Sequence, residues 1–469
     1  MRRSFSGLAG LDKCMGGGKG NTITTYDLGT LPIGRLLRYY AVPSIVGTMV
    51  NSLYNLVDRI FIGQGVGGLA ISGLALTFPI LIFLQAFGIL VGVGASSRIS
   101  ILLGQKKRGE AENLLGNAFV LSVVLSLSTI TLCYLLMEPM LYAFGASADT
   151  VPYAKDYLGI VIPGNIFANL TFSYNSVMRA TGYPRKAMVT MIIGAVLNVA
   201  FDALFIFGLG WGIKGAAWAT VLSMFVGMLF VMHHFTDTGA FLRIRAKYFK
   251  LQWGYVWGIL SIGVAPFVMQ LAASMVHLFK NSSLVAYGGD YAVGAHGISN
   301  SISTTIFLFI LGLAIGMQPV VGYNFGAGNI HRVKEAFIKT VRLNVIIGVV
   351  GIVITQLFTE GLVRCFTTDD ELIRVSKEAV RIENMAFWAV GFQVTCVHFF
   401  QSIGSAKQAM ILSISRQVAF LIPLIYFLPF VWELKGVWLA TPVADVLSFT
   451  ISLTLIVLFF RKHKEEKKV

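Results

Sequence analysis

Twelve runs of mostly apolar residues dominate this chain, and each is long enough to cross a bilayer. A spanning helix needs about 20 such residues. Named α1 to α12 in order, the runs cover 34–61, 70–97, 113–137, 154–180, 185–209, 214–235, 253–282, 292–322, 336–359, 376–403, 407–430 and 436–460. A membrane barrel would instead need short alternating segments, and none is seen. The expected fold is all-α, a polytopic membrane protein with twelve transmembrane helices. Charged residues make up 13% of the 469 and apolar ones 56%, against roughly 25% charged in a soluble domain. That excludes a soluble enzyme and a disordered chain. The four cysteines (Cys14, Cys133, Cys365, Cys396) are too few for a disulfide scaffold and read as buried thiols without a redox role.

The net charge of +15 is dispersed along the chain, which argues for a lipid bilayer as partner and against nucleic acid. Of the 37 Lys and Arg, 26 fall in the termini and in alternate turns on one side. Eight fall on the other side, Lys155, Lys214 and Lys280 among them, and three (Arg59, Arg342, Arg416) lie within spans. The positive-inside rule then places both termini in the cytoplasm, with the chain multi-pass in the cell (inner) membrane. Residues 1–30 are polar and Gly-rich without an apolar core, so no cleaved signal peptide is expected. The run Gly16–Gly20 lacks the Ser or Thr and the preceding strand of a phosphate loop.

Shifting the chain by 222 residues superposes landmarks in order. Gly94 meets Gly316, Gly104 meets Gly326, and Arg179-Ala-Thr-Gly182 meets Gln401-Ser-Ile-Gly404. Shifts of 221 and 223 bring Ala219-Thr220 onto Ala440-Thr441 and Pro43 onto Pro266. Six helices per half is an even number, so the two six-helix repeats are parallel, about an axis along the membrane normal. The expected organisation is a cytoplasmic tail (1–33), an N-lobe (34–235), a cytoplasmic linker (236–252), a C-lobe (253–460) and a basic cytoplasmic tail (461–469).

Ionisable residues deep in a bilayer cost roughly 2.5–3.5 kcal/mol each on insertion scales and so mark candidate sites. The N-lobe has Asp58 on α1 and Asp202 on α5. Asn198 precedes Asp202 by one turn, on the same face. Helix directions and rise per residue place Asp58, Asp202, Asn198, Thr220 and Tyr157 at one depth, in the outer half of the membrane. Such an acid pair can bind a proton, or a Na⁺ coordinated by Asp58, Asp202 and Asn198. Asp58 maps near Asn281 in the second repeat and Asp202 near Leu424, so the acids belong to one lobe. Glu383 and Asp445 are weaker candidates for lining a cavity. His277, His296 and His398 lack metal-ligand spacing and read as satisfied buried side chains.

Asn55-Leu-Val-Asp58, Arg179-Ala-Thr-Gly182, Asn198-x-x-x-Asp202 and Gly215-Ala-Ala-x-Ala-Thr220, in this order over residues 34–460, resemble the multidrug and toxic compound extrusion (MATE) family. The resemblance implies a secondary active antiporter that works by alternating access. It would export small organic compounds, often cationic and aromatic, in exchange for H⁺ or Na⁺. No cofactor beyond that ion is implied, and a monomer suffices. The resemblance also implies that Asp58, Asn198, Asp202, Thr220 and Tyr157 form the coupling site, that Asn51 and Asn175 line the drug cavity, and that Pro43 marks a bend in α1. One branch of the family uses acids on α7 and α10; here α7 offers Gln270 and His277, which favours the N-lobe site. The alternative is a flippase for a lipid-linked saccharide, kept open by Arg59, Arg342 and Arg416. No nucleophile–base cluster is seen, so an enzyme is not expected, and no filter-like ring points to a channel.

Overall fold

The computed structural model describes residues 25–465, apart from 146 and 148; the Gly16–Gly20 run and the ends of both expected tails lie outside the described residues. The described residues are helical and contain no strand. In chain order, α1 is Ile33–Gly65, α2 Gly68–Gly104, α3 Arg108–Leu135 and α4 Val151–Ala180. Helix α5 joins Pro184–Asp202 to a π-helical stretch, Ala203–Gly208, and α6 is Gly212–Thr236. The stretch Trp253–Gly326 holds both α7 and α8, broken at Gly289 with φ 61° and ψ −160°, a conformation that needs glycine. Helix α9 is Ile330–Leu357. Helix α10 is split into Asp370–Glu383 and Phe387–Ser402. Helix α11 runs Ala406–Phe427 through a π-helical stretch, Ser415–Leu421, and α12 lies within Pro429–Glu465.

Helix ends follow local chemistry. Asp369 caps α10, its Oδ1 accepting from the N–H groups of Glu371 and Leu372 at 2.9 and 3.0 Å. Among the described residues, eight helices are long and apolar enough to span a membrane by length and composition, one of them holding both α7 and α8. The three that fall short are α1, α4 and α10. Helix α10 falls short because its split leaves pieces of 14 and 16 residues, whereas α1 and α4 are long enough but more polar, and they carry the buried Asp58 and Tyr157.

Helices α1–α6 pack mainly on one another, as do α7–α12, and the two sets meet where α1 and α2 cross α7 and α8. Glycines bring those crossings to backbone contact. A Cβ on Gly263 would sit 1.9 Å from the Leu90 carbonyl oxygen, and one on Gly94 2.1 Å from that of Ile259. One on Gly316 would sit 2.6 Å from Cα of Ala41. These residues belong to the start of α1, the end of α2, the start of α7 and the end of α8. The lobes therefore close on each other at the end that carries both termini.

The structure adds detail to the expected organisation and corrects the expectation that Cys365 is buried. Residues 25–33 are not a free tail: Leu28 is buried, and its carbonyl accepts from Asn324 Nδ2 at 2.9 Å. The linker 236–252 docks on α3, with Arg245 3.3 Å from Glu112 and the Gln252 N–H 2.7 Å from Asn117 Oδ1. Helix α12 continues to Glu465, so the start of the expected basic tail is helical. Cys365 is exposed, whereas Cys133 and Cys396 are buried.

Candidate functional site

Helix α1 runs unbroken through Pro43, which is buried beside the crossing with α8. One turn per 3.6 residues carries its polar stripe from Asn51 through Asn55 to Asp58. Asn51 is exposed, and its carbonyl accepts from Asn55 Nδ2 at 2.6 Å. Asp58 is buried, and it turns toward Asp202 at the end of the α-helical part of α5. The π-helical stretch begins at the next residue, Ala203; such insertions re-aim a helix and recur at functional sites.

The carboxyl groups of Asp58 and Asp202 come within hydrogen-bonding reach of each other. Asn198 Nδ2 lies 3.5 Å from Thr220 Oγ1, and the Tyr157 hydroxyl reaches Thr220. All five residues are buried. The structure thus brings Asp58, Tyr157, Asn198, Asp202 and Thr220 together from α1, α4, α5 and α6. Asp58 Oδ1, both carboxylate oxygens of Asp202, and Asn198 Oδ1 have no hydrogen-bond partner among the described residues. Two ionised carboxylates cannot hydrogen-bond to each other. Buried acceptors of this kind are costly unless a proton or cation joins them. Arg59 makes no ion pair with either acid among the described residues; its guanidinium lies over the Phe78 ring, 5.3 Å from the centroid.

Asn175 and Pro43 lie away from this cluster. Asn175 is buried and engaged: its Nδ2 donates to the Ala187 carbonyl at 2.8 Å, and its Oδ1 accepts from Arg179.

The C-lobe holds a second buried ionic cluster. Lys280 Nζ lies 2.8 Å from Glu383 Oε1 and donates to Thr441 Oγ1 at 2.9 Å. His296 Nδ1 lies 3.0 Å from Glu383 Oε1, and Ser299 Oγ donates to Oε2 at 2.6 Å. Arg416 Nε pairs with Asp445 Oδ1 at 2.6 Å. This corrects the placement of Lys280 in an outer loop: the break at Gly289 lies nine residues beyond it, so α7 extends past the apolar run and keeps the ammonium inside the lobe. The signal was present in the duplication, because a shift of 222 sets Asp58 against Lys280. Thr220 and Thr441 are likewise repeat-related. The two lobes carry one design with opposite charge: unpaired acids in the first, an acid already paired with a lysine in the second. Glu383 and Asp445 are therefore satisfied, as is His398, whose Nδ1 lies 2.9 Å from the Val394 carbonyl.

Comparison with known proteins follows the same twofold plan. The family model MatE matches residues 43–204 and again 266–427. The chain belongs to the MatE family. Both segments of this MATE-family membrane transporter are offset by 223 residues. The "Multidrug export protein MepA" of Staphylococcus aureus (strain NCTC 8325 / PS 47) is 27% identical over 430 residues, covering 91% of this chain and 94% of that protein. The protein of the same name from Staphylococcus haemolyticus (strain JCSC1435) is 27% identical over 425 residues, covering 90% and 93%. Among solved structures, "Crystal structure of MATE in the bent conformation" is similar with a TM-score of 0.90, at 23% identity over 96% of this chain and all of that one. "Outward-facing conformation of a multidrug resistance MATE family transporter of the MOP superfamily" matches with a TM-score of 0.89, at 24% identity over 95% of this chain and all of that one. These likenesses establish the two-repeat, twelve-helix fold.

Proposed function

We propose that this chain is a multidrug efflux antiporter that exchanges organic, often cationic and aromatic compounds for H⁺ or Na⁺ bound between Asp58 and Asp202. The observation that carries this reading is the buried, unpartnered carboxylate pair of the N-lobe, set against a C-lobe acid that Lys280 already neutralises. The MepA relatives named above support the class of cargo. The reading takes both termini as cytoplasmic, from the basic turns, so the lobes close on the cytoplasmic side and the chain stands open outward.

Open outward, Asp58 and Asp202 take up the cation, with Asn198 and Thr220 supplying neutral oxygens and Tyr157 covering the site. Neutralising the pair removes the cost of bringing the carboxylates closer and lets α1 shift at Pro43 toward α5 and α6. The cavity narrows and cargo leaves outward. After the lobes rock, the cation is released to the cytoplasm. The ion drives this cycle only if its affinity differs between the two states. A monomer contains every group invoked, and no step requires an enzyme's chemistry.

No observation favours the flippase reading. Arg416 is neutralised by Asp445, Arg59 lies on an aromatic ring, and Arg342 is exposed. The test is efflux of a fluorescent organic cation from proteoliposomes under imposed H⁺ or Na⁺ gradients, for wild type, Asp58→Asn and Asp202→Asn. Transport driven by one gradient and lost in both folded variants is expected, and it names the ion. Unchanged transport in both variants overturns the site.

A further inference from the structure

Where the lobes close, a small cavity lies between Ser96, Ser97 and Ser100 of α2, Ser176 and Arg179 of α4, and Gln318 of α8. It has room for about one water-sized group. No carboxylate lines it. The Arg179 guanidinium has five N–H donors. Two of them go to neutral acceptors, Asn175 Oδ1 and, at 2.9 Å, Ser176 Oγ. Its position in the last turn of α4 offsets part of the charge, but a helix end supplies only about half an elementary charge.

Of the other polar groups of the cavity, Ser97 and Gln318 keep a donor, whereas Ser176, whose hydroxyl donates to the Phe172 carbonyl at 3.0 Å, offers only its oxygen, as do Ser96 and Ser100. Ser96 and Ser100 spend their hydroxyl protons on the carbonyls of Val93 and Ser96, at 3.1 and 2.9 Å. Ser97 does not: it is buried, and its Oγ has no partner among the described residues. Gln318 Nε2 donates to Gln401 Oε1 at 3.1 Å and keeps a second N–H. A water would satisfy some of these donors but leave the guanidinium charge uncompensated. A carboxylate or phosphate is too large for the space.

We infer that this cavity binds a single chloride-sized monovalent anion, held by Arg179 and Ser97 of the N-lobe and Gln318 of the C-lobe. An anion held from both lobes stabilises the state in which they are closed at this end, and separating the lobes there disperses its ligands. Chloride thereby biases the transport cycle toward the outward-open state, independently of the cation at Asp58 and Asp202.

The test is thermal unfolding of the purified full chain in sodium chloride, sodium bromide and sodium gluconate at equal Na⁺ and ionic strength, so that the coupling cation is constant. A saturable rise in Tm with chloride and with bromide, absent in gluconate, is expected. Arg179→Gln should abolish the rise. Arg179→Lys, which keeps the charge but loses the fork, should weaken half-saturation roughly tenfold. Ser97→Ala removes one donor with the charge intact and serves if the arginine variants do not fold; half-saturation should rise several-fold. Crystals grown in bromide should show an anomalous peak beside Arg179. Equal Tm in chloride and gluconate, or a cavity without bromide in such crystals, would overturn the inference while leaving the cation reading untouched.

Discussion

Gly104 and Gly326 stand at repeat-related positions, and each packs against the backbone of the helix that carries the other. A Cβ on Gly104 would fall 2.0 Å from the Tyr323 carbonyl oxygen, and one on Gly326 2.1 Å from that of Ile101. Ile101 and Tyr323 are separated by 222 residues, as are the two glycines. The contact is therefore a pseudo-twofold crossing of α2 and α8 at the closed end of the lobes.

Gly326→Ala should push these helices apart, at the cost of about 1–3 kcal/mol typical of overpacking. Because the obstacle is backbone, side-chain rotation cannot relieve it. A cysteine introduced at Ser97 should label faster with a membrane-impermeant maleimide applied to the side bearing the termini. Unchanged labelling in Gly326→Ala would mean that the crossing does not limit opening.

The Asp58–Asp202 pair predicts a trade of stability against function. Replacing one of two buried like charges with a neutral amide removes repulsion. Asp202→Asn should melt higher than wild type in buffer free of Na⁺, and the difference should shrink as the coupling ion is added. Cation-driven efflux should be lost at the same time. A lower Tm in all buffers would show that Asp202 serves packing instead.

Lys280 and Glu383 predict the opposite sign. Removing one partner of a buried ion pair leaves a bare charge and typically costs about 3–5 kcal/mol. Lys280→Met should therefore lower Tm strongly, and the double variant Lys280→Met/Glu383→Gln should recover most of the loss. Additive losses in the double variant would refute the coupling; the Tm series in detergent decides.

Arg332 predicts a local effect. Its Nη2 donates to the carbonyls of Leu31 at 2.6 Å and Leu28 at 3.2 Å, and its Nε to Asn324 Oδ1 at 2.9 Å. Charge-assisted bonds of this kind contribute about 1.5–3 kcal/mol each. Arg332→Ala should speed hydrogen exchange in residues 25–33 by tenfold or more, with exchange in α4 and α5 unchanged. Equal exchange in 25–33 would mean that Leu28 burial alone holds the segment.

Glu360, in the short helix Thr359–Arg364 between α9 and α10, carries a pH signature. Hydrogen bonds from Lys377 and Arg364 hold its carboxyl below its ordinary value of 4.5. The stability from this carboxylate is thus present above about pH 4.5 and is lost as pH falls through the depressed value. Glu360→Gln should lower Tm slightly at pH 7 and not at all in strong acid. Because the group is fully exposed, the effect should also fade with salt.

Much of this architecture is local and was legible in order along the chain. Apolar runs of bilayer length specify helices, because a backbone in lipid must bond to itself. The 222-residue register, the even helix count and the N-lobe acid pair on α1 and α5 followed from the same reading. Two things were not local. Lys280 lies just inside the end of its apolar run, so hydropathy alone cannot separate a loop lysine from one drawn inward; its partner Glu383 is 103 residues away. Likewise, residues 25–33 look like a polar tail until Asn324 and Arg332 take up their carbonyls. Composition decides whether a segment leaves water, one residue at a time. Which charge meets which depends on helix rotation and on the approach of distant helices, and packing alone sets those.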